Sequence, residues 1–206
     1  MKVFYELGYR YFRMPWDIGA RKELVELVES GRIAPCRAID LGIGTASNVI
    51  FLAQRGFDVV GVDYAASAVA LGRKRAQSAG VKVTFVADDL TDLHQVSGTF
   101  DFLVDYGTLD DLLPRDRDLY MRTILSLTHP GSRFLLYCFE WRLAWWERLL
   151  IGLRFFGAMT LEPGEAKQRF GRYFDIEEIA RGTNLRAWPR GYAVYLMTRN
   201  RQPIVG

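Results

Sequence analysis

The chain has 206 residues, half of them hydrophobic and a quarter charged, and its formal net charge is +3. This is the composition of an ordinary globular protein, and the length predicts one domain over residues 1–206. So small a charge excludes nucleic-acid binding driven by charge alone. No uncharged apolar run approaches the roughly 20 residues that span a bilayer.

Cysteine and histidine usage excludes further classes of protein. Cys36 and Cys138 lie far apart in the sequence, which excludes a disulfide framework and predicts a reducing, cytoplasmic location. The two histidines, His94 and His129, lack metal-ligand spacing, so we predict no metal site. The first residues lack the apolar core of a signal peptide.

Strands and helices alternate along the chain after an aromatic and basic segment, residues 1–19. The predicted strands are Arg37–Leu41, Asp58–Val62, Val81–Val86, Phe100–Asp105, Arg133–Phe139 and Tyr192–Thr198. The predicted helices are Ala20–Ser30, Ala46–Arg55, Ser67–Ala79, Arg115–Leu127, Trp141–Thr160 and Glu177–Arg181. This alternation, with Val/Ile/Leu-rich strands, is typical of a parallel sheet covered on both faces. We therefore predict a doubly wound, Rossmann-like α/β fold with an antiparallel C-terminal hairpin. Its mostly parallel sheet is predicted to have seven strands, one more than the six located here.

The loop after the first strand predicts a ligand site. Asp40 ends an apolar run, and Gly42 and Gly44 follow it one residue apart, which lets a ligand approach the backbone. The second strand ends at Asp63, where an acid can accept both hydroxyls of a ribose. The ligand is therefore predicted to be a nucleoside.

Acids at the strand ends favour a cationic nucleoside. A dinucleotide fingerprint needs a third glycine where Ser47 stands, so that pattern is incomplete. Ligands of such sheets bind beyond the carboxyl ends of the strands. The acids expected to converge there are Asp40, Asp63, Asp89 and Asp105. They suit S-adenosylmethionine, which carries a sulfonium and an ammonium, better than a pyrophosphate. An NAD(P)-binding oxidoreductase and a non-catalytic binding scaffold remain the alternatives.

Four motifs stand in the order and spacing of a known family. They are Pro15-Trp16-Asp17-Ile18-Gly19, Phe57–Asp63, Phe100-Asp101 and Pro130–Arg133. From about Pro15 to Phe139 the chain resembles class I S-adenosylmethionine-dependent methyltransferases. Within them it resembles small bacterial enzymes similar to thiopurine and tellurite-resistance methyltransferases. Two positions depart from the pattern. Ala46 replaces the usual third loop glycine, which is tolerable if the backbone there is helical, and Ile43 stands where a small residue is common.

The resemblance implies a set of cofactor-binding residues. They are Trp16, Asp40, Gly42, Ile43, Gly44, Asp63, Tyr64, Asp89, Leu90, Asp105 and Tyr106. The loop glycines and Asp40 would face the methionine part, Asp63 the ribose, and Tyr64 and Leu90 the adenine. Asp89 would accept the adenine amino group, with Asp88 as its competitor.

The remaining roles concern the sulfonium and the two ends of the chain. Asp105 and Tyr106 would lie near the sulfonium. Residues 1–30 would form an arm and helix over the cofactor, with Trp16 closing it. The aromatic segment 141–175 would be a lid over an apolar or aromatic acceptor, or a homodimer contact.

The implied reaction is methyl transfer to a small molecule, at oxygen or sulfur rather than nitrogen, with S-adenosylhomocysteine as product. Three acids are candidate catalytic residues: Asp105, Asp111 and Glu140. Together with Asp110, the last two could bind a divalent cation or deprotonate a hydroxyl. Helix capping is the alternative interpretation of these acids.

Overall fold

The computed structural model describes residues 2–12, 14, 17–142, 144–146, 149, 160–183 and 191–201. Its helices are α1 (Lys2–Tyr11), α2 (Lys22–Glu29), α3 (Ser47–Gln54), α4 (Ala66–Ser78), α5 (Arg117–Ser126) and α6 (Glu165–Phe170). Its strands are β1 (Arg37–Leu41), β2 (Asp58–Asp63), β3 (Thr84–Ala87), β4 (Phe100–Tyr106), β5 (Thr128–Phe139), β6 (Phe174–Thr183) and β7 (Gly191–Arg199). The chain divides into two compact units, Met1–Val104 and Asp105–Gly206. A single domain over the whole chain stays a prediction.

The strands of the described residues form one mixed sheet in the order β3-β2-β1-β4-β5-β7-β6. β2 runs parallel to both β1 and β3, whereas β7 runs antiparallel to both β5 and β6. The predicted fold class, a Rossmann-like sheet with an antiparallel C-terminal hairpin, is confirmed.

In the N-terminal unit, the sheet brings three strand ends to one edge. β1 is buried at four of its five residues, as expected of a strand covered on both faces. Leu41 lies beside Val62, and Asp63 lies beside Ala87, so β1, β2 and β3 end at the same edge. The segments that follow these strands therefore start close together, which is where the predicted site lies.

In the C-terminal unit, aromatic rings form much of the core. Phe134 on β5 packs against Phe170 on α6 and Phe174 on β6, with ring centroids 5.7 and 6.3 Å away. All three side chains are almost fully buried. Burial of large aromatic side chains of this kind is a main source of stability, roughly 1.5–3 kcal/mol each.

The predicted helix Glu177–Arg181 is wrong, because these residues lie within strand β6. The local sequence Glu-Glu-Ile-Ala favours a helix by intrinsic propensity. Pairing with β7 from Phe174 to Thr183 overrides that preference, and a register shift between Glu178 and Ala180 accommodates the segment. Tertiary pairing, which the local pattern does not encode, decides the outcome.

Other differences concern the ends of elements. The sequence predicts no element before residue 20, yet α1 covers Lys2–Tyr11. β5 begins at Thr128, five residues before the predicted start at Arg133. Of the predicted helix over 141–160, residues 143, 147, 148 and 150–159 lie outside the described residues. Among the described helices, none combines the length and the apolar character needed to cross a bilayer.

Candidate functional site

The glycine loop is held tightly against β2. Gly42 and Gly44 adopt φ values of +83° and +51°, which side chains rarely tolerate. The N–H groups of Gly42 and Ile43 both donate to the carbonyl of Val62, at 2.8 and 3.1 Å. The Ile43 side chain is buried and lies against Gly61, where a Cβ would come within 2.8 Å of it. Ile43 can therefore present only its backbone to a ligand.

Ala46 departs from what the sequence predicts. Its backbone is left-handed rather than helical, with φ +65° and ψ +16°, and it is the one non-glycine residue with positive φ in the described ranges. The condition under which we expected alanine to be tolerable here, a helical backbone, is therefore not met. Such a conformation costs on the order of 1 kcal/mol. The buried methyl group packs beside Gly72, whose missing side chain leaves it room.

Asp63 joins the glycine loop to the turn before α4. Its Oδ2 accepts the N–H of Gly44 at 3.0 Å, and its Oδ1 accepts the N–H of Ala65 at 2.9 Å. The side chain is buried. This arrangement fixes the carboxylate at the strand end, where the sequence predicts a ribose contact.

The same surroundings raise the pKa of Asp63 to about 6. Burial is the largest cause, and the N–H groups of Ala65 and Gly44 partly oppose it. The charge of Glu6, on α1, raises the pKa further. Because the folded value lies above the ordinary 3.8, ionising Asp63 lowers the stability of the fold as pH rises between these two values.

This pKa predicts that binding of S-adenosylhomocysteine weakens in acid. Protonation converts one Asp63 oxygen into a hydroxyl donor and weakens the remaining acceptor, and a group with a pKa of about 6 is about nine-tenths protonated at pH 5. We expect the dissociation constant to rise about tenfold between about pH 8 and about pH 5 in calorimetric titrations. The variant Asp63→Asn should bind weakly with little pH dependence. A wild-type constant that is unchanged across this range contradicts the prediction.

The other predicted cofactor residues of this unit occupy three kinds of position. Asp40 lies in β1 and is 1% exposed. Tyr64, directly after β2, is half-buried, and the ring of Tyr5 meets it edge-on at 5.9 Å. Leu90 is buried after β3. Trp16 lies outside the described residues, as does its neighbour Pro15.

Asp88 and Asp89 differ in what they already bind. Asp88 accepts the backbone N–H groups of Asp89, His94 and Gln95. Burial raises the pKa of Asp88, but these N–H groups outweigh it and leave the pKa below its ordinary value. Asp89 is exposed and uses Oδ1 for both the N–H and the hydroxyl of Thr91. Asp88 thus shapes the loop, and Asp89 remains the predicted adenine contact.

In the C-terminal unit, Asp105 is fully buried and shapes its own loop. Its carboxylate accepts the N–H groups of Thr108 and Leu109 at 2.7 and 3.1 Å and the hydroxyl of Tyr120 at 2.6 Å. Burial raises the pKa of Asp105 to about 6, although these three donors lower it. Its two oxygens are therefore committed to its own loop and to Tyr120.

Asp110 is buried close to Asp105, whereas Asp111 is half-buried. Burial and the charges of Asp105 and Asp111 raise the pKa of Asp110 well above its ordinary range. Burial likewise raises the pKa of the Cys138 thiol, and the charge of Asp110 adds to this effect. No group of three or more acids, histidines and cysteines could hold a metal ion in the part of the chain that the structure describes.

Glu140 belongs to a buried ion-pair network. Its Oε1 accepts Nη1 of Arg181 at 2.8 Å, and its Oε2 accepts the hydroxyl of Tyr195 at 2.8 Å. Arg181 also binds both oxygens of Glu178. A buried carboxylate that accepts hydrogen bonds from a guanidinium and a hydroxyl is fixed in place.

A row of three stacked tyrosines crosses the strands of the C-terminal unit. Tyr106 on β4 lies 4.8 Å from Tyr137 on β5, with rings tilted by 16°. Tyr137 lies 5.3 Å from Tyr192 on β7, with rings tilted by 18°. All three are half-buried. A Cβ at Gly182 would come within 2.3 Å of Tyr192, so this glycine makes room for the tyrosine row.

Several residues of these sites are not predicted from the sequence. Tyr106, Tyr137 and Tyr192 lie on three different strands, so no local pattern joins them. The one signal in the sequence is the alternation of aromatic residues such as Tyr137 and Phe139, which places their side chains on the same face of a strand. Glu6 approaches Asp63 from α1, and no sequence pattern near either residue indicates this.

Known proteins resemble this chain in both sequence and fold. Residues 38–131 match the family model described as "Methyltransferase domain". A curated relative, 2-heptyl-1-hydroxyquinolin-4(1H)-one methyltransferase from Mycobacteroides abscessus, is 31% identical over 131 residues. The match covers 62% of this chain and 57% of the relative, so the chain spans little more than half of that protein's length.

Two solved structures share the fold over most of the chain. One, solved for the conversion of a disulfide bond into a thioacetal group during echinomycin biosynthesis, has a TM-score of 0.76 at 20% identity. It covers 98% of this chain and 94% of its own. The other is magnesium protoporphyrin IX methyltransferase from Synechocystis PCC 6803 with bound S-adenosylhomocysteine. Its TM-score is 0.68 at 22% identity, covering 86% of this chain and 80% of its own.

Residues 38–131, somewhat under half of the chain, are thus similar to a methyltransferase domain. The similarity agrees with the class predicted from the sequence, class I methyltransferases that use S-adenosylmethionine, and membership of that class stays a prediction. The two solved structures, at these identities, bear on the fold alone.

Proposed function

We propose that this chain transfers a methyl group from S-adenosylmethionine to a planar aromatic small molecule, at oxygen or sulfur. The observation that carries the proposal is the buried Asp63 carboxylate, fixed between Gly44 and Ala65 at the end of β2. The methyltransferase domain match over residues 38–131 supports it. The alternatives, an NAD(P)-binding oxidoreductase and a non-catalytic scaffold, are not favoured.

The residues of the N-terminal unit fit the cofactor. Asp63 would accept the ribose hydroxyls, and Asp89 would accept the adenine amino group. Gly42 and Gly44, which carry no side chain, leave room for the methionine part beside buried Asp40. S-adenosylmethionine, when bound, supplies a methyl group already activated by the sulfonium. The chain's own work is then to orient the acceptor, and such alignment can lower a barrier by roughly 7–11 kcal/mol.

The tyrosine row supports an aromatic acceptor. Tyr106, Tyr137 and Tyr192 present a half-buried aromatic surface. Aromatic rings pair with other rings in offset-stacked or edge-on contacts worth about 0.5–1.5 kcal/mol each. The named acceptor of the Mycobacteroides relative is itself a hydroxylated quinolone. A flat ring bearing a hydroxyl or thiol is therefore the acceptor that this surface suits best.

Among the three candidate catalytic acids, we choose Asp111 as the base for a hydroxyl acceptor because it is half-buried, whereas Asp105 and Glu140 are buried. Asp105 is committed to Thr108, Leu109 and Tyr120, and Glu140 is held by an arginine and a tyrosine. Asp111 is half-buried and follows a fully buried acid. Asp105 and Glu140 would act by holding their loops in place. A thiol acceptor ionises more readily and would not need a base.

The test uses methyl-labelled S-adenosylmethionine and a panel of planar aromatic hydroxyls, thiols and amines with their non-aromatic counterparts. Transfer to aromatic hydroxyls or thiols supports the proposal. Transfer to amines alone, or to non-aromatic acceptors equally well, contradicts the chosen acceptor class. Absence of S-adenosylhomocysteine binding, together with quenching of nicotinamide fluorescence on titration, would favour an oxidoreductase.

The tyrosine row gives a specific prediction for the acceptor. Replacing Tyr137 with leucine removes the middle ring, and we expect the KM for an aromatic acceptor to rise about fivefold. The KM for S-adenosylmethionine should stay within about twofold, because Tyr137 is not among the predicted cofactor contacts. Tyr173→Leu in the same unit, whose ring packs on Arg199, is the matched control. An equal rise in both KM values would contradict this role.

The finer predictions stay predictions. These are the likeness to thiopurine and tellurite-resistance enzymes, a cytoplasmic location, a homodimer, and an aromatic lid over 141–175. Trp145, Trp146 and Leu149 of that segment are 79%, 45% and 56% exposed, which is compatible with a lid or an interface.

A further inference from the structure

Glu6 on α1 caps the first turn of α4. Its Oε1 accepts the N–H of Ala66 at 2.7 Å, and its Oε2 accepts the N–H of Ser67 at 3.0 Å. The first N–H groups of a helix have no partner within the helix, and the helix dipole favours an anion there. α1 is thereby fastened to the turn that follows Asp63.

Asp17 and Arg75 fasten the other end of the N-terminal segment. Asp17 Oδ1 and Oδ2 accept Nη1 and Nη2 of Arg75 at 2.7 and 2.8 Å. Arg75 Nη1 also donates to the carbonyl of Thr45, in the glycine loop, at 3.0 Å. A two-bond fork of this kind fixes direction as well as distance. This pairing also gives Asp17, the acid of the Pro-Trp-Asp motif, a structural role.

The contacts of Glu6 and Arg75 hold the same two backbone segments that Asp63 connects, the glycine loop and the turn before α4. Asp63 bonds Gly44 and Ala65. Arg75 bonds the residue after Gly44, and Glu6 bonds the two residues after Ala65. Helix α1 and Asp17 are therefore tied to the backbone on the two sides of Asp63.

We infer that Glu6 and Arg75 are positioning residues that hold α1 and Asp17 against the backbone on both sides of Asp63 and thereby slow release of the cofactor. The inference rests on the proposed cofactor site at Asp63. Neither side chain needs to touch the cofactor. Loss of the Glu6 contact frees α1, and loss of the Arg75 contact frees Asp17. In each case the backbone on that side of Asp63 loses a hydrogen-bond partner.

The ring contact of Tyr5 gives a third link of the same kind. Tyr5 lies one residue before Glu6, and its ring meets Tyr64, the predicted adenine contact, edge-on at 5.9 Å. Tyr9, one helical turn further, stacks on Tyr5 at 6.1 Å. Docking of α1 through Glu6 therefore also sets the position of the Tyr64 ring.

The test measures the dissociation rate of S-adenosylhomocysteine from the full chain by stopped-flow competition. We expect Glu6→Ala and Arg75→Ala each to raise this rate about tenfold, because changes in affinity appear mostly in dissociation. The double variant should be no faster than about twofold above the faster single variant, since both changes free the same segment. The KM for S-adenosylmethionine should rise while kcat stays within about twofold.

Two further variants separate positioning from a general loss of structure. Arg55→Ala removes an ion pair with Glu29 elsewhere in the same unit and should leave the rate unchanged. Asp17→Asn breaks the fork without deleting the arginine and should repeat the effect of Arg75→Ala if that variant folds poorly.

The outcomes distinguish this inference from the proposed function. Binding that is lost in Asp63→Ala but leaves the rate unchanged in Glu6→Ala, Asp17→Asn and Arg75→Ala overturns the inference alone. The inference is also overturned if the increases in dissociation rate of Glu6→Ala and Arg75→Ala multiply in the double variant. The two contacts would then act independently. A wild-type chain that does not bind S-adenosylhomocysteine overturns the inference and the proposed function together.

Discussion

Replacing Asp63 with alanine is expected to weaken binding of S-adenosylhomocysteine at least about a hundredfold. Two hydrogen bonds from ribose hydroxyls to a charged acceptor contribute about 1.5–3 kcal/mol each, and a loss of roughly 3 kcal/mol is about a hundredfold in affinity. The alanine also removes the bridge between Gly44 and Ala65, so the loop loses its fixed position. Isothermal titration calorimetry at about pH 8, where the carboxylate is ionised, measures the effect.

Asp58 provides the matched control for this change. It is an exposed acid at the opposite end of the same strand, β2. Asp58→Ala should leave the dissociation constant within about twofold, as expected of a surface change remote from the site. If Asp63→Ala binds within about threefold of the wild type, the ribose role of Asp63 is wrong and the cofactor must lie elsewhere.

The residues of the predicted cofactor site that can be found from the sequence are those that belong to local sequence patterns. Gly42 and Gly44 follow a buried strand directly, and Asp63 ends the next strand. Positive φ at both glycines and the bridging carboxylate agree with that pattern. Parallel strands that end at a common edge bring these local features together without any further information.

The supports of the site depend on contacts between distant residues. Glu6 bonds a helix 60 residues away, and Asp17 bonds an arginine 58 residues away. A carboxylate in an aromatic N-terminal segment carries no sign of which N–H groups it will meet. The tyrosine row likewise needs the sheet order, because Tyr106, Tyr137 and Tyr192 come from three separate strands.

Backbone strain at Ala46 and strand pairing at Glu177–Arg181 explain two differences between the predicted and the observed local structure. Ala46 occupies a left-handed backbone that glycine usually fills, and the space beside Gly72 is visible only once α4 is packed. The segment Glu177–Arg181 has helical propensity, yet backbone pairing with β7 makes it a strand. In both places tertiary contacts outweigh a local preference on the order of 1 kcal/mol.

Replacing Arg117 with methionine is expected to lower the free energy of unfolding by about 3–5 kcal/mol, because the change leaves buried partners without their donor. The Arg117 side chain is 3% exposed, and its Nη1 binds both oxygens of Glu165 at 3.0 Å. It also donates to the carbonyls of Thr160, Leu112 and Asp110 at 2.9, 3.1 and 3.4 Å. One guanidinium therefore ties the start of α5 to α6, to Thr160 and to the loop that carries Asp111.

Urea unfolding followed by tryptophan fluorescence measures this loss, since four of the five tryptophans lie in residues 105–206. Glu165→Gln should cost less, because its pair Arg117 keeps the three carbonyl acceptors. The exposed Arg115, paired with Asp116, is the control, and Arg115→Met should change the free energy by less than about 0.5 kcal/mol. A loss below about 1 kcal/mol for Arg117→Met would mean that the carbonyls find water instead. Because the same guanidinium holds the carbonyls on either side of Asp111, kcat for a hydroxyl acceptor should fall as well.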